Sequence, residues 1–122
     1  MKAVGYRTSL PISDARSLLD LEVPDPHAAG HDLLVQVKAV SVNPVDTKIR
    51  RGTAPPAGET KILGWDASGV VREVGAEVTL FKPGDEVWYA GSIDRPGTNS
   101  ELHLVDERIV GRKPKSLGHA QA

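Results

Sequence analysis

The sequence predicts a mainly β domain, a small barrel or sandwich with one or two short helices. Short runs of Val, Leu and Ile recur at close spacing, and Gly- and Pro-rich turns separate them, as in small all-β domains. Only 4% of the 122 residues are aromatic whereas 39% are hydrophobic, so the core must be mostly aliphatic. This length suits one domain with a modest core.

Seven segments have the alternating or β-branched pattern of strands. In the clearest of them, residues 32–42, the apolar residues change from odd to even positions near Ala39 and Val40, which predicts a bulge or a bend. The predicted strands span residues 2–7, 18–23, 32–42, 66–74, 86–90, 100–105 and 108–110. Pro83 and Gly84 occupy the second and third positions of a predicted type II turn over 82–85.

A short helix is predicted over 43–52. Asn43 suits the N-cap, where its side chain would cap free N–H groups, and Pro44 suits the first position because it has no N–H. Asp46 complements the positive N-terminal end, and Arg50 and Arg51 complement the negative C-terminal end. From the residues alone, the stretch from Asn43 to Asp46 is fully explained as a helix start.

A second helix is predicted to begin at Ser116, which suits an N-cap. It would stop after about one and a half turns at Ala122. A natural chain rarely ends inside a helix, so we expect the 122 residues to be the front piece of a longer protein.

Composition excludes several classes of protein. A formal net charge of -1 provides no basic surface for nucleic acid or an anionic membrane. The absence of cysteine excludes disulfides, iron–sulfur clusters and cysteine-based zinc sites. No apolar run reaches the length of a signal peptide or a membrane span, so a cytoplasmic protein is expected. His27 and His31 are four residues apart, but Pro and Gly surround them, so we expect loop histidines rather than metal ligands.

Trp65 and Asp66 stand in the stretch ILGWDASGVV, which is otherwise rich in Gly and small residues. A tryptophan in such a strand entry is either a core anchor or the wall of a pocket. The residues alone leave both alternatives open. The glycine-rich phosphate motifs and the serine-nucleophile motifs do not occur in the sequence.

The order of the motifs resembles the medium-chain dehydrogenase/reductase superfamily. They are SVNPVDTKIRRG, ILGWDASGVVREVG, LFKPGDEVWYAG and, after a strand that ends in LVDE, KPKSL. The resemblance covers residues 1–122 and is to the N-terminal GroES-like catalytic domain of the quinone oxidoreductase-like or zinc-type alcohol dehydrogenase-like branch. It implies a partly open β-barrel here and a Rossmann cofactor domain downstream.

Zinc-dependent members of the superfamily have a Cys ligand where Asn43 stands, and a His ligand followed by Glu where Trp65 and Asp66 stand. They also have a four-cysteine structural zinc lobe, which this chain lacks. The resemblance therefore implies a zinc-independent member. Zinc-free relatives use NADPH to reduce quinones or the activated double bond of enones.

The resemblance also implies roles for individual residues. Asn43, with Pro44 beside it, would contact the cofactor, and its amide would hold the nicotinamide carboxamide or the substrate oxygen. Asp46 would orient the helix and Asn43. Trp65 would face the active-site cleft as the wall of an apolar slot, with Asp66 next to it.

For the full-length protein the resemblance implies a small-molecule carbonyl or quinone substrate and a homodimer or homotetramer. NADPH would be bound mainly by the downstream domain, so residues 1–122 alone are expected to be inactive. Two alternatives stay open. One is a zinc-type alcohol dehydrogenase that acts on alcohols or aldehydes, and the other is a freestanding GroES-like binding module without catalysis.

Overall fold

Two antiparallel sheets make up most of the chain in the computed structural model, which describes residues 1–122. The strands are β1 (Lys2–Tyr6), β2 (Leu19–Glu22), β3 (Asp32–Ser41), β4 (Lys61–Ile62), β5 (Asp66–Val74), β6 (Glu86–Ala90), β7 (Leu102–Asp106) and β8 (Val110–Arg112). Helix α1 (Pro44–Gly52) lies between β3 and β4, and a 3-10 turn, Glu107–Ile109, precedes β8. The small sheet has the order β2-β1-β4 and the large sheet the order β7-β3-β5-β6-β8.

The predicted mainly β fold is confirmed, and the two sheets form a partly open barrel rather than a closed one. They are joined through one isolated bridge between Ala3 and Ser100, where Val4 N also donates to Asn99 O at 2.8 Å. β5 and β6 have the predicted bounds, whereas β4 was missed because a two-residue strand shows no alternation. None of the helices is long and apolar enough to cross a bilayer.

The pairing of β3 with β5 explains the change of alternation in the sequence. Its register shifts between Val37 and Ala39, which confirms the predicted irregularity, and shifts again between Leu34 and Val35. The two strands also approach closely at Gly69, where a Cβ would collide with the carbonyl oxygen of Gln36. The strand that leads to the candidate site is therefore positioned by backbone contacts.

The main core is aliphatic, as the composition predicts. It lies on one face of the large sheet and consists of Leu33, Val35, Ala67, Val71, Val87, Tyr89 and Val105. A separate cluster of Tyr6, Leu63 and Trp65 packs against Val45 and Ile49 of α1. The helix is thus held to the small sheet by a cluster that includes two of the three buried aromatic residues, Tyr6 and Trp65.

Helix α1 begins and ends as predicted, and Asn43 has the extended backbone of its N-cap residue. Asn43 and Asp46 form a capping box, in which Asp46 Oδ2 accepts from the backbone N–H of Asn43 at 2.6 Å. At the other end, the Tyr6 hydroxyl lies 2.5 Å from the carbonyl oxygen of Thr53 and 3.0 Å from that of Ile49. Such contacts satisfy carbonyls that a helix end leaves free.

The helix predicted from Ser116 is wrong, because residues 115–121 form two turns separated by a bend. Gly118 follows Ser116 too closely for a stable first turn, and nucleation of a helix is costly. Lys113 Nζ also donates to the carbonyl oxygens of Pro114 and Leu117, which draws the segment into a loop around the ammonium group.

His31 and His27 lie in loops, as predicted. His31 Nδ1 is 3.1 Å from Oε1 of the buried Glu107, and the backbone N–H groups of Thr79 and Leu80 also donate to that carboxylate. Burial on its own would raise the pKa of Glu107, but these hydrogen bonds together lower it. The carboxylate therefore ties the loop before β6 to the start of β3.

His103 is a buried structural histidine on β7. Its ring stacks on Tyr89 with centroids 5.6 Å apart, and its Nδ1 lies 2.9 Å from the Tyr89 hydroxyl. Nε2 lies 3.0 Å from the carbonyl oxygen of Pro96, so the ring holds the loop after β6. Burial lowers the pKa of His103 to about 4.

His103 should make the protein sensitive to mild acid. Below pH about 6.5 the unfolded chain binds a proton at this histidine, whereas the folded chain binds it only near pH 4. As the pH is lowered across this window, the free energy of unfolding should therefore decrease. This group should contribute up to about 1.4 kcal/mol per pH unit to the decrease. In urea denaturation, the free energy of unfolding of His103→Gln should depend less steeply on pH between pH 6 and pH 4.5 than that of the parent protein.

The exposed His27 provides the control, since His27→Gln should retain the slope of the parent protein. Equal slopes for His103→Gln and the parent would contradict the assignment of His103 as a neutral buried group.

Candidate active site

Asn43 and Asp66 meet where β3 leads into α1 and β5 begins. Ser41 pairs with Asp66 in the register of β3 and β5, so the side chain of Asn43, two residues later, can reach the same carboxylate. Asn43 Nδ2 donates to Asp66 Oδ2 at 2.8 Å and to the carbonyl oxygen of Ser41 at 3.3 Å. The structure thus brings together two of the residues that the sequence singled out.

The orientation of the Asn43 amide follows from its partners. A carboxylate and a carbonyl only accept hydrogen bonds, so both must face the NH₂ group. The amide oxygen then points away from Asp66, and the Ser41 hydroxyl lies 3.5 Å from it. Asn43 therefore presents an acceptor rather than a donor.

Asp46 lies on the inner side of α1 and is only 6% exposed. One of its oxygens accepts from the backbone of Asn43, and the other, Oδ1, is buried without a hydrogen-bond partner. Asp46 therefore fixes the backbone of Asn43, while Asp66 fixes its side chain. Pro44 is exposed at the first helical position, and its carbonyl accepts from the Thr47 hydroxyl at 2.9 Å.

Trp65 belongs to the core rather than to the wall of a cleft. It is 3% exposed, packs with Tyr6 and Leu63, and donates its indole N–H to the carbonyl oxygen of Ser92 at 3.0 Å. Of the two alternatives that the residues left open, the structure places Trp65 as an anchor. The expectation from the resemblance, that the ring faces the cleft, is not met, because the ring turns under α1 and its neighbour Asp66 reaches the site.

A cleft of about 480 Å³ opens beside Asp66, between β3, β5, β6 and the C-terminal segment. Sequence reasoning missed three of its side chains, Ser68, Trp88 and His119. Ser68 follows Asp66 by two residues on β5, so the period of a strand places both on one face. The two-residue period of the strand could have indicated Ser68 from the sequence. His119 comes from a distant segment, and no sequence pattern places it near Asp66.

The residues at the family's zinc-ligand positions do not fit a zinc ion. The Asn43 NH₂ group is directed to Asp66, and the Trp65 indole is directed into the core. Neither group is a zinc ligand. Across residues 1–122, no three His, Asp or Glu side chains come together in a way that could hold a metal ion.

Comparison with known proteins agrees with this geometry at the level of the fold. The family model for the alcohol dehydrogenase GroES-like domain matches residues 29–119. A zinc-type alcohol dehydrogenase-like protein of Staphylococcus epidermidis is 40% identical over 122 residues, which are 100% of this chain and 36% of that protein. The chain therefore spans about a third of the length of such relatives.

Two solved structures are similar over almost the whole chain. One, from Rhizobium etli, has a name that places it with the zinc-dependent alcohol dehydrogenases. It has a TM-score of 0.95 and 66% identity over 99% of this chain and 35% of its own. The other is the Escherichia coli quinone oxidoreductase in complex with NADPH, with a TM-score of 0.85 and 28% identity over 100% of this chain and 36% of its own.

If Trp65 is an anchor, Trp65→Ala should leave a cavity under α1. We expect a loss of about 3–5 kcal/mol in the free energy of unfolding, the usual cost of removing a buried tryptophan. Trp88 is 40% exposed, so Trp88→Ala should cost clearly less. Chemical denaturation of both variants, followed by circular dichroism, makes the comparison. An equal, small cost for the two would show that Trp65 does not hold the helix.

Proposed function

This chain belongs to the family of alcohol dehydrogenase GroES-like domains, and we propose that it is the catalytic domain of an NADPH-dependent oxidoreductase. In this proposal the enzyme reduces quinones or the activated double bonds of enones and uses no catalytic zinc. The similarity to a quinone oxidoreductase that binds NADPH supports the reaction class. The contact between Asn43 and Asp66 is the single observation that favours the zinc-free branch.

That contact leaves a neutral amide acceptor at the position of a zinc ligand. Without a Lewis acid, substrate and cofactor must be held by hydrogen bonds and apolar contacts. A carbonyl oxygen needs a donor, whereas the nicotinamide carboxamide offers an NH₂ group. Asn43 Oδ1 therefore suits the carboxamide better than it suits the substrate oxygen.

The residues of this chain have distinct roles in the proposal. NADPH, when bound, supplies the hydride. Asn43 accepts from its carboxamide, and the exposed Pro44 lies beside this contact at the start of α1. Asp66 and Asp46 keep the amide in one orientation, which reduces the ordering that binding requires. The cleft beside Asp66 is the proposed place of the carbonyl or quinone substrate.

The remaining parts of the proposal concern the whole protein. We expect a Rossmann domain outside residues 1–122 to bind most of the cofactor, so these residues alone should neither bind NADPH measurably nor reduce quinones. A homodimer or homotetramer in the cytoplasm is the proposed full-length form. The names of the relatives favour one alternative, a zinc-type alcohol dehydrogenase that acts on alcohols or aldehydes.

Metal content separates the proposal from this alternative. Because Asn43 and Trp65 offer no zinc ligand, the full-length protein purified in metal-free buffers should contain no stoichiometric zinc. Chelators should leave its activity unchanged. Elemental analysis that finds one zinc per chain, with activity lost on chelation, would favour the alcohol dehydrogenase alternative.

The amide orientation can be tested with a cofactor analogue in which an acetyl group replaces the carboxamide. The analogue has no N–H to donate to Asn43 Oδ1, so the full-length protein should bind it less tightly than NADPH. A neutral hydrogen bond of about 0.5–1.5 kcal/mol corresponds to roughly a 2–13-fold difference in Kd by calorimetry. Asn43→Ala should bind the two cofactors equally.

Two further variants complete the test. Asp66→Asn lets the amide of Asn43 turn, so it should weaken the preference for NADPH. Arg51→Ala, at the exposed far end of α1, should retain the preference. If Asn43→Ala discriminates between the cofactors as the parent does, Asn43 does not bind the carboxamide. Failure of the parent to oxidise NADPH with any quinone or enone would refute the proposed reaction.

A further inference from the structure

A polar chain crosses the end of the large sheet beside the cleft. Ser68 Oγ on β5 lies 2.6 Å from Nδ1 of His119. The other ring nitrogen, Nε2, lies 3.3 Å from Oε1 of Glu86 on β6. Lys113 Nζ lies 3.3 Å from the second oxygen of Glu86. None of these four residues has a role in the function proposed above.

The two ends of this chain face different surroundings. Ser68 is buried and lines the cleft together with Asp66, the partner of Asn43. The Glu86 side chain is 50% exposed to solvent. His119 connects them, and an imidazole can hold a proton on either nitrogen. The arrangement therefore links the cleft to bulk water through three groups that accept and donate protons.

We propose that Ser68, His119 and Glu86 deliver a proton from solvent to the substrate oxygen in the cleft. This inference rests on the proposed reduction, in which hydride adds to a carbon of the substrate and negative charge develops on its oxygen. An enzyme without zinc has no metal to stabilise that charge. A positioned acid is then the remaining way to neutralise it.

The protons and electrons balance as follows. A bound NADPH would supply a hydride, whose two electrons would form the new C–H bond, and the π electrons of the substrate would move to its oxygen. The Ser68 O–H bond breaks as the proton passes to this oxygen, and Ser68 takes the Nδ1 proton of His119. Neutral His119 regains a proton from solvent by way of Glu86. The reactive form is therefore the imidazolium of His119.

Charged groups around His119 come from three segments. Glu86 on β6 lies against Nε2, and Asp66 on β5 lines the same cleft as His119. Lys113, from the same C-terminal segment as His119, is paired with Glu86. The charged group in contact with the His119 ring is thus the carboxylate of Glu86.

A purely structural role is the competing explanation, since the same contacts hold the C-terminal segment against the sheet. Glutamine separates the two roles. In His119→Gln the side-chain amide can hydrogen-bond to both Ser68 and Glu86, but it cannot transfer a proton. A structural contact would survive this change, whereas proton delivery would not.

The first experiment follows NADPH oxidation by the full-length protein with a quinone or an enone. In the parent, kcat should fall at alkaline pH, because proton delivery needs a protonated donor. In His119→Gln, kcat at neutral pH should be lower by about 10²-fold or more, the usual effect of losing a general acid. The decrease of kcat at alkaline pH, its alkaline limb, should disappear. KM and the melting temperature should change little. Lys115→Gln, an exposed change in the same segment, should behave as the parent.

The second experiment does not depend on activity. Nuclear magnetic resonance of the full-length protein should follow the two ring nitrogens of His119 at one fixed pH. Glu86→Gln should shift the Nε2 resonance and Ser68→Ala the Nδ1 resonance, because each variant removes or alters the hydrogen-bond partner of that nitrogen. An unchanged Nε2 resonance in Glu86→Gln would overturn the relay.

The outcomes distinguish the two proposals. A parent that oxidises NADPH, together with a His119→Gln variant that keeps its kcat and its alkaline limb, would overturn the relay alone. A parent that does not oxidise NADPH with any substrate would overturn the proposed reduction and the relay with it.

Discussion

The rest of the structure depends on the hydrogen bonds that hold the segment from Ile62 to Trp65 against the loop after β6. All four residues of the segment are buried, so their backbone carbonyls need partners that water cannot supply. The donors are backbone N–H groups of the loop, from Gly97 to Ile62, Asn99 to Leu63, Thr98 to Gly64 and Gly91 to Trp65. Gly64 makes the close approach feasible, since its φ is +93° and a Cβ would lie 2.6 Å from Asn99 Oδ1.

These backbone hydrogen bonds set the position of the helix and, through the helix, the position of the candidate site. It fixes Leu63 and Trp65 beneath α1, where they pack with Tyr6. The Tyr6 hydroxyl then meets the carbonyls at the C-terminal end of the helix. With the helix held, Asn43 at its N-terminus reaches Asp66 at the start of β5. The apolar packing beneath α1 and the contact between Asn43 and Asp66 therefore both depend on the position of the segment from Ile62 to Trp65.

The candidate site shows how a GroES-like domain can lack zinc ligands and remain ordered at the same positions. A tryptophan in place of a histidine ligand adds a large apolar side chain, and the ring is accommodated in the core. An asparagine in place of a cysteine ligand retains a polar group, and two carboxylates fix its backbone and its amide. Both side chains are thus held in place by contacts within the protein.

The sequence by itself determined the fold class, most of the strands, the helix from Pro44 to Gly52 and the residue types at the zinc positions. These features depend on local periodicity, turn residues and helix ends, which neighbouring residues specify. Only the tertiary structure decided that Trp65 turns into the core, that the NH₂ group of Asn43 binds Asp66, and that His119 meets Ser68. These contacts join residues distant in sequence, and the choice between a local partner and a remote one is made by packing.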